Sequence, residues 1–89
     1  TLWVSNLLLE LEDPAAVEGR IAALVRAVEA CRGPVILVSN EVGFGVVPES
    51  RLGRQFRDLA GIANQSVAAC AQEVILTVAG IPMVIKACA

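Results

Sequence analysis

The sequence has no histidine, and this single absence excludes several kinds of catalytic site. Without imidazole groups the chain offers no His-based triad, no histidine general base and no histidine metal ligand. Its cysteines form no CxxC pair, so neither a zinc knuckle nor a thioredoxin-type redox site is expected. We therefore predict no histidine-based catalytic site and no metal site built on histidine or on a CxxC pair within the chain itself.

The cysteines, Cys31, Cys70 and Cys88, are predicted to be unpaired. Cys31 and Cys70 lie in helical patterns rich in Ala and Val, where cysteine usually serves as a small buried hydrophobic residue. An odd number of free thiols suits a reducing cytoplasm, and a cytoplasmic protein is what we predict.

Basic blocks and long apolar runs are also lacking. Seven Lys and Arg against nine Asp and Glu give a net charge of −2, which argues against a nucleic-acid partner. We predict no membrane span, because no apolar run is long enough, and no signal peptide, because no charged segment precedes an apolar core. The chain begins at Thr1 rather than Met, which we interpret as a processed or truncated N-terminus.

What the sequence does have is an excess of Ala, Val, Leu and Ile. Apolar residues make up 56% of the 89 residues although only 3% are aromatic. This composition is typical of helices and strands that are buried on more than one side. At this length we expect residues 1–89 to be one small domain or part of a larger one.

Helices are indicated by apolar periodicity and by capping residues. The Asp13-Pro14 pair starts a predicted helix at 14–32, because Asp is a good N-cap and Pro fits the first helical position. Ser50 caps the longest predicted helix, at about 51–72. Residues 1–11 are also predicted to be helical, with the end of a strand as the alternative. The predicted inward-facing residues are Val17, Ile21, Leu24, Val25 and Val28 in the second helix, and Leu52, Phe56, Leu59, Ala63, Val67 and Cys70 in the third.

Two apolar runs are predicted to be strands of a buried sheet. Residues 35–38 are an unbroken run of Val, Ile and Leu after the Gly33-Pro34 break, as in a strand covered on both faces. Residues 74–78 form the second strand, and a turn at 79–82 leads to a short antiparallel strand at 83–85.

Strands that alternate with helices predict an α/β fold with a mostly parallel sheet. In that fold 35–38 and 74–78 lie in one sheet, and the helix between them crosses over right-handed. These elements make up only about half of such a sheet, so we expect one half of a larger α/β domain. A strand edge without a partner and an exposed apolar face should result.

Candidate site residues follow the first predicted strand. Ligands of open α/β sheets bind outside the carboxyl ends of the strands, which here points to Asn40, Glu41 and the loop 43–50. These side chains could orient water, magnesium or a phosphate-bearing ligand. The alternative is that Asn40 hydrogen-bonds loop backbone and Glu41 pairs with an arginine. The chain contains no phosphate-binding GxxxxGK[ST] loop.

The start of the longest helix carries a second group of candidates. Arg54 and Arg57 lie close together on one face, where two guanidinium groups could clamp a phosphate or contact another subunit. Alternatively, the face is solvated and Asp58 pairs with Arg54. The Asn64-Gln65 pair lies near Arg57 and marks either a packed polar interface or a solvent-facing surface.

Three separated motifs resemble one family. They are Val38-Ser-Asn-Glu-Val-Gly-x-Gly-x-Val-Pro-Glu, Arg54-x-Phe-Arg-Asp-x-x-Gly61-x-x-Asn-Gln65 and Ala79-Gly-Ile-Pro-x-x-Ile-Lys86. With the segment Thr1-Leu-Trp-Val-Ser-Asn-Leu-Leu8 they resemble the bifunctional adenosylcobinamide kinase / adenosylcobinamide-phosphate guanylyltransferase of cobalamin biosynthesis. The resemblance covers nearly the whole chain.

The resemblance implies a P-loop, RecA-like α/β protein that assembles as a homotrimer. It implies a transferase that phosphorylates adenosylcobinamide with ATP or GTP, with Mg²⁺ bound. The enzyme then transfers GMP from GTP, through a histidine, to give adenosylcobinamide-GDP. The P-loop and that histidine belong to the family's N-terminal half and are absent here, so the resemblance implies a C-terminal part that is inactive alone.

The resemblance also implies roles for particular residues. Thr1 would lie beside the family's Walker-B-like acidic position, near the nucleotide phosphates. Asn40 and Glu41 match the motif at a strand end, and the matching helix motif supplies Arg54, Arg57 and Asp58. We expect these six residues to contact phosphate, cobinamide or a neighbouring subunit. Two alternatives are a non-catalytic binding or assembly module and a different nucleotide-dependent α/β enzyme.

Overall fold

A computed structural model describes residues 1–43, 45 and 47–87. Three helices are followed by a two-stranded hairpin. In chain order the elements are α1 (Leu2–Leu11), α2 (Pro14–Ala30), α3 (Arg51–Cys70), β1 (Val74–Val78) and β2 (Ile81–Lys86). The predicted helix at 1–11 is confirmed, and the other two predicted helices are confirmed with C-termini two residues earlier than expected.

Local capping explains where the helices begin. The Asp13 carboxylate accepts a hydrogen bond from the Ala15 amide at 3.1 Å, and Pro14 is the first residue of α2. The Ser50 hydroxyl accepts one from the Gly53 amide at 3.0 Å at the start of α3. These side chains satisfy backbone donors that have no partner inside their own helix.

The core lies where the three helices meet. The buried residues are Val4, Leu7 and Leu8 of α1, Val17 and Ile21 of α2, and Leu59, Ala60 and Ala63 of α3. The small Ala60 and Ala63 allow the helices to approach closely. Leu52 was predicted to face inward but is 48% exposed. It lies in the first turn of α3, where it lines an open pocket beside Leu8 and Leu9 of α1 instead of joining the buried core.

Two cysteine predictions have different outcomes. Cys31 was expected to be buried, but it follows the last residue of α2 and is exposed. Cys70 ends α3 and is partly buried. Cys88 lies outside the described residues.

The predicted antiparallel hairpin is confirmed. Among the described residues β1 pairs with β2 alone, and β2 begins at Ile81, two residues before the predicted start. The turn consists of Ala79 and Gly80, whose φ angles are 51° and 75°. Positive φ at both positions gives the turn a twist that matches the flanking strands.

The predicted strand at 35–38 is not formed among the described residues. The segment carries no strand assignment, and the predicted parallel sheet with 74–78 is absent from the same part of the chain. Ile36 and Val38 are each 88% exposed. A strand is defined by hydrogen bonds to a neighbour, and no described segment supplies them here. Residues 35–38 therefore expose the apolar surface that the sequence predicts, although they are not paired as a strand.

One side chain ties the hairpin to the helices. Lys86, the last residue of β2, donates from Nζ to the carbonyls of Ala68 and Ala69 at 2.8 and 3.1 Å. A cation at the C-terminal end of α3 compensates the partial negative charge of the helix dipole. Across the described ranges, every helix is too short or too polar to cross a bilayer.

Candidate functional site

The segment from Ser39 to Ser50 is called here the strand-end loop, after the strand predicted before it. Three side chains of α3 hold described residues of this loop against the helix. Asn64 donates from Nδ2 to the Asn40 carbonyl at 3.0 Å, and Arg57 donates from Nη2 to the Gly43 carbonyl at 2.9 Å. Arg54 donates to two further loop carbonyls, those of Pro48 and Glu49. The described loop residues therefore run antiparallel to the helix, since carbonyls later in the loop bind side chains earlier in α3.

The main chain of Asn40 is bound on both sides. Its N–H donates to the Thr1 hydroxyl at 2.7 Å, while its carbonyl accepts from Asn64. Ser39 completes the cluster: its hydroxyl donates to Asn64 Oδ1 at 2.7 Å and lies 3.2 Å from Thr1 Oγ1. Four residues from three segments thus form one hydrogen-bonded cluster, called here the Thr1 cluster (Thr1, Ser39, Asn40 and Asn64).

Beside this cluster lies an open pocket of about 470 Å³ between the loop and α3. It brings together three of the predicted site residues, Glu41, Arg57 and Asp58. Gly61 lies in the same wall and has no side chain to fill the space. The remaining lining residues are Val42, Gly43, Ile62 and Gln65.

The pocket combines hydrogen-bond acceptors with a partly unsatisfied cation. Glu41 Oε1 accepts from the Gly43 amide at 2.8 Å, which closes a tight turn at the mouth. Arg57 Nη1 is buried and has no hydrogen-bond partner among the described residues. Burial of an unpaired guanidinium N–H is unfavourable, so a ligand or another protein segment that supplies an acceptor there would stabilise the site.

The structure places five of the six predicted site residues in two groups. Thr1 and Asn40 belong to the Thr1 cluster, and Glu41, Arg57 and Asp58 line the pocket. Arg54 does not line it, because its guanidinium group turns to the loop carbonyls rather than to Arg57 or Asp58.

Asn64 was missing from the predicted ligand contacts. Its amide is nevertheless the centre of the Thr1 cluster, where it accepts from Ser39 and donates to Asn40. The signal was its position in the middle of a helix, where asparagine has modest helix propensity. From it the Asn64-Gln65 pair was predicted to mark a packed polar interface or a solvent-facing surface, but no ligand contact was assigned to it.

The pocket beside the loop is lined by two carboxylates and by Arg57, whose buried Nη1 has no partner among the described residues, and this lining suits a polar ligand. Comparison with known proteins gives the class: residues 1–85 match the family described as "Cobinamide kinase / cobinamide phosphate guanyltransferase", and the chain belongs to that family. The resemblance inferred from the three sequence motifs is thereby confirmed.

Individual relatives are similar along almost the whole chain. The chain is 46% identical over 98 residues to the "Bifunctional adenosylcobalamin biosynthesis protein CobU" of Escherichia coli (strain K12). It is 45% identical over 86 residues to the "Bifunctional adenosylcobalamin biosynthesis protein CobP" of Pseudomonas aeruginosa. Each alignment covers 97% of this chain but only 54% and 49% of the relatives. The chain therefore spans about half the length of the curated relatives it matches.

Proposed function

We propose that this chain forms the C-terminal half of a bifunctional transferase of cobalamin biosynthesis. The parent enzyme phosphorylates adenosylcobinamide with ATP or GTP and then transfers GMP from GTP to adenosylcobinamide phosphate. The observation that carries the proposal is the family match over residues 1–85. The clustering of predicted site residues around one loop supports it.

In this proposal each half of the parent supplies different parts of the active site. The other half of the parent supplies the P-loop that binds the phosphates and the histidine that carries GMP, since the chain has neither. The present half contributes the strand-end loop and the pocket beside it. Thr1 and Asn40 lie on the nucleotide side, and Glu41, Arg57 and Asp58 face the substrate or a neighbouring subunit. Arg54 acts indirectly by holding the loop.

Mg²⁺ belongs to the proposal as a partner of the nucleotide. Glu41 and Asp58 carry the oxygen ligands that Mg²⁺ prefers, and both line the pocket. The described residues contain no group of three or more metal-ligating side chains. We therefore assign the ion mainly to the nucleotide phosphates and to the other half of the parent, where it would neutralise phosphate charge during transfer.

The proposed fold of the parent is a P-loop, RecA-like α/β domain with a mostly parallel sheet. Residues 35–38 would become a strand once neighbours from the other half supply backbone hydrogen bonds. The exposure of Ile36 and Val38 supports this, because a parallel sheet would cover both. A homotrimer in the cytoplasm is the assembly that we propose for the parent.

The experiment is a double-label assay of the parent protein with adenosylcobinamide. γ-Labelled GTP should transfer label to adenosylcobinamide phosphate, and α-labelled GTP should then give labelled adenosylcobinamide-GDP. The 89-residue chain alone should transfer neither label. A folded parent that transfers neither label would contradict the proposal.

A second candidate is a non-catalytic assembly module. It is favoured by the exposed apolar segment 35–38, a surface suited to another chain. Mixing the isolated chain with the complete parent subunit separates the two candidates. Copurification of the two without an increase in label transfer would favour the assembly module.

A further inference from the structure

We infer that Asn64 is a positioning residue that fixes the main chain of Asn40 at the edge of the site where phosphoryl transfer takes place. The inference rests on the proposed function and goes beyond it, because Asn64 is not one of the six residues proposed to contact ligand. It acts on the substrate through Asn40 and Ser39.

Both polar atoms of the Asn64 side chain form hydrogen bonds. Its Nδ2 donates to the Asn40 carbonyl at 3.0 Å and its Oδ1 accepts from the Ser39 hydroxyl at 2.7 Å. Because Thr1 accepts from the Asn40 N–H at 2.7 Å, both backbone polar groups of Asn40 are held by side chains. The Asn40 main chain is thus fixed between Thr1 and Asn64.

The side-chain amide of asparagine meets the requirement at position 64. The site needs a donor and an acceptor on one short, planar group. Aspartate keeps the acceptor toward Ser39 but places an oxygen against the Asn40 carbonyl. Leucine keeps the approximate volume and loses both hydrogen bonds.

Helix stability does not account for this residue. Asparagine in a helix interior is less favourable than alanine. Asn64 lies in the fourth turn of α3 and is only partly buried. Its hydrogen bonds go to segments 24 and 25 residues away rather than to its own helix, so they order the site and not α3.

Asn64 also stands at one end of the series that holds the loop. Arg54 and Arg57 bind loop carbonyls nearer the start of α3, and Asn64 binds the loop where it meets Thr1. We place the reacting phosphate at the Thr1 end. Loss of Asn64 should therefore affect the transfer step more than the binding of nucleotide.

The test compares Asn64→Asp and Asn64→Leu with the wild-type parent protein. Gln72→Glu is the matched control, since it makes the same amide-to-carboxylate change at an exposed position outside the loop contacts. For both Asn64 variants kcat for phosphoryl transfer should fall by about tenfold to a hundredfold, because small displacements of reacting groups have effects of this size. KM for the nucleotide and the thermal midpoint should change little, and Gln72→Glu should behave as wild type.

Hydrogen exchange supplies a readout that does not need activity. The Asn40 amide should exchange faster in both Asn64 variants, because its bond to Thr1 depends on the position of the Asn40 peptide. Unchanged exchange at Asn40, or a lower thermal midpoint with unchanged kcat, would overturn the inference. If a variant does not fold, Ser39→Ala removes one Asn64 bond and the Ser39 contact with Thr1 while leaving the Asn64 bond to Asn40, and it must give a smaller change of the same kind. An inactive wild-type parent would contradict the proposed function. Hydrogen exchange at Asn40 tests the positioning role of Asn64 independently of activity.

Discussion

Arg54 and Arg57 hold the strand-end loop through backbone carbonyls, although arginines so placed could equally have bound a phosphate. Five donors in a fixed planar fork let one guanidinium group bind several loop atoms at once. Arg54 donates hydrogen bonds to two neighbouring carbonyls, and Arg57 donates one to the carbonyl of Gly43. Both residues therefore order the loop whatever ligand lies beside it.

A substitution of Arg57 tests this role. Arg57→Met keeps much of the aliphatic packing and removes the bond to the Gly43 carbonyl. The loop should open more often. Loss of about 1 kcal/mol from the free energy of loop opening corresponds to about fivefold faster amide exchange at Glu41, Val42 and Gly43. Arg51→Met is the control, since Arg51 is exposed on the same helix. Equal exchange in the two variants would show that Arg57 does not hold the loop.

Two adjacent leucines in α1 test the position of the core. Leu8 is 3% exposed and Leu9 is 59% exposed. Leu8→Ala should lower the free energy of unfolding by about 2–5 kcal/mol, because it leaves a cavity among packed side chains. Leu9→Ala, the same change one residue later, should cost less than about 1 kcal/mol. Urea denaturation of both variants measures the difference, and equal losses would contradict the packing described for α1.

The elements differ in how well the sequence predicts them, and the reason is how far apart the interacting residues lie. Helix starts depend on neighbours: Asp13 caps an amide two residues on, and Ser50 caps one three residues on. Strand formation at 35–38 depends on a distant partner that the described residues do not provide. The sequence therefore predicts the helices and hairpin, but not the state of that segment.

The same reasoning applies to the site. Thr1 and Asn40 were predicted to be site residues, the first from a family resemblance and the second also from the strand-end rule. Their hydrogen bond joins residues 39 positions apart, which no local pattern reveals. The loop-holding role of Arg54 was hidden as well, because a charged helix face predicts either ligand binding or solvation. Only the fold shows that loop carbonyls lie within reach.

The β1–β2 turn offers a prediction at the level of the element. Ala79 has a φ of 51°, a region that is unfavourable for alanine and tolerated by asparagine, and Gly80 follows with a φ of 75°. Ala79→Asn should raise the free energy of unfolding by up to about 1 kcal/mol. Gly80→Ala should lower it by about 1 kcal/mol or more, although no atom crowds its Cβ position. Urea denaturation measures both changes. A less stable Ala79→Asn together with a more stable Gly80→Ala would contradict the turn geometry.

At the scale of the whole molecule, apolar surface exceeds what the helices bury. Residues 35–38 and both strands of the hairpin expose Val, Ile and Met side chains. The sole described partner of β1 is β2, so each strand has an unpaired edge. Such surfaces promote association.

The isolated 89-residue chain should therefore self-associate and bind a hydrophobic dye such as ANS. Val38→Lys should reduce both effects, since Val38 is 88% exposed, whereas Gln72→Lys should change neither. Light scattering and ANS fluorescence measure the outcome. A monodisperse chain with no dye binding and a sharp thermal transition would show that it needs no further segment to cover its apolar face.

The central claim is that this chain serves as one half of a cobinamide kinase and guanylyltransferase. A chimera tests it most directly, with the matching segment of the Pseudomonas aeruginosa relative replaced by this chain. That alignment is 86 residues long and covers 97% of the chain, so the exchange needs little or no insertion. The account predicts that the chimera converts adenosylcobinamide first to its phosphate and then to adenosylcobinamide-GDP. A folded chimera that binds GTP but forms neither product would contradict the account.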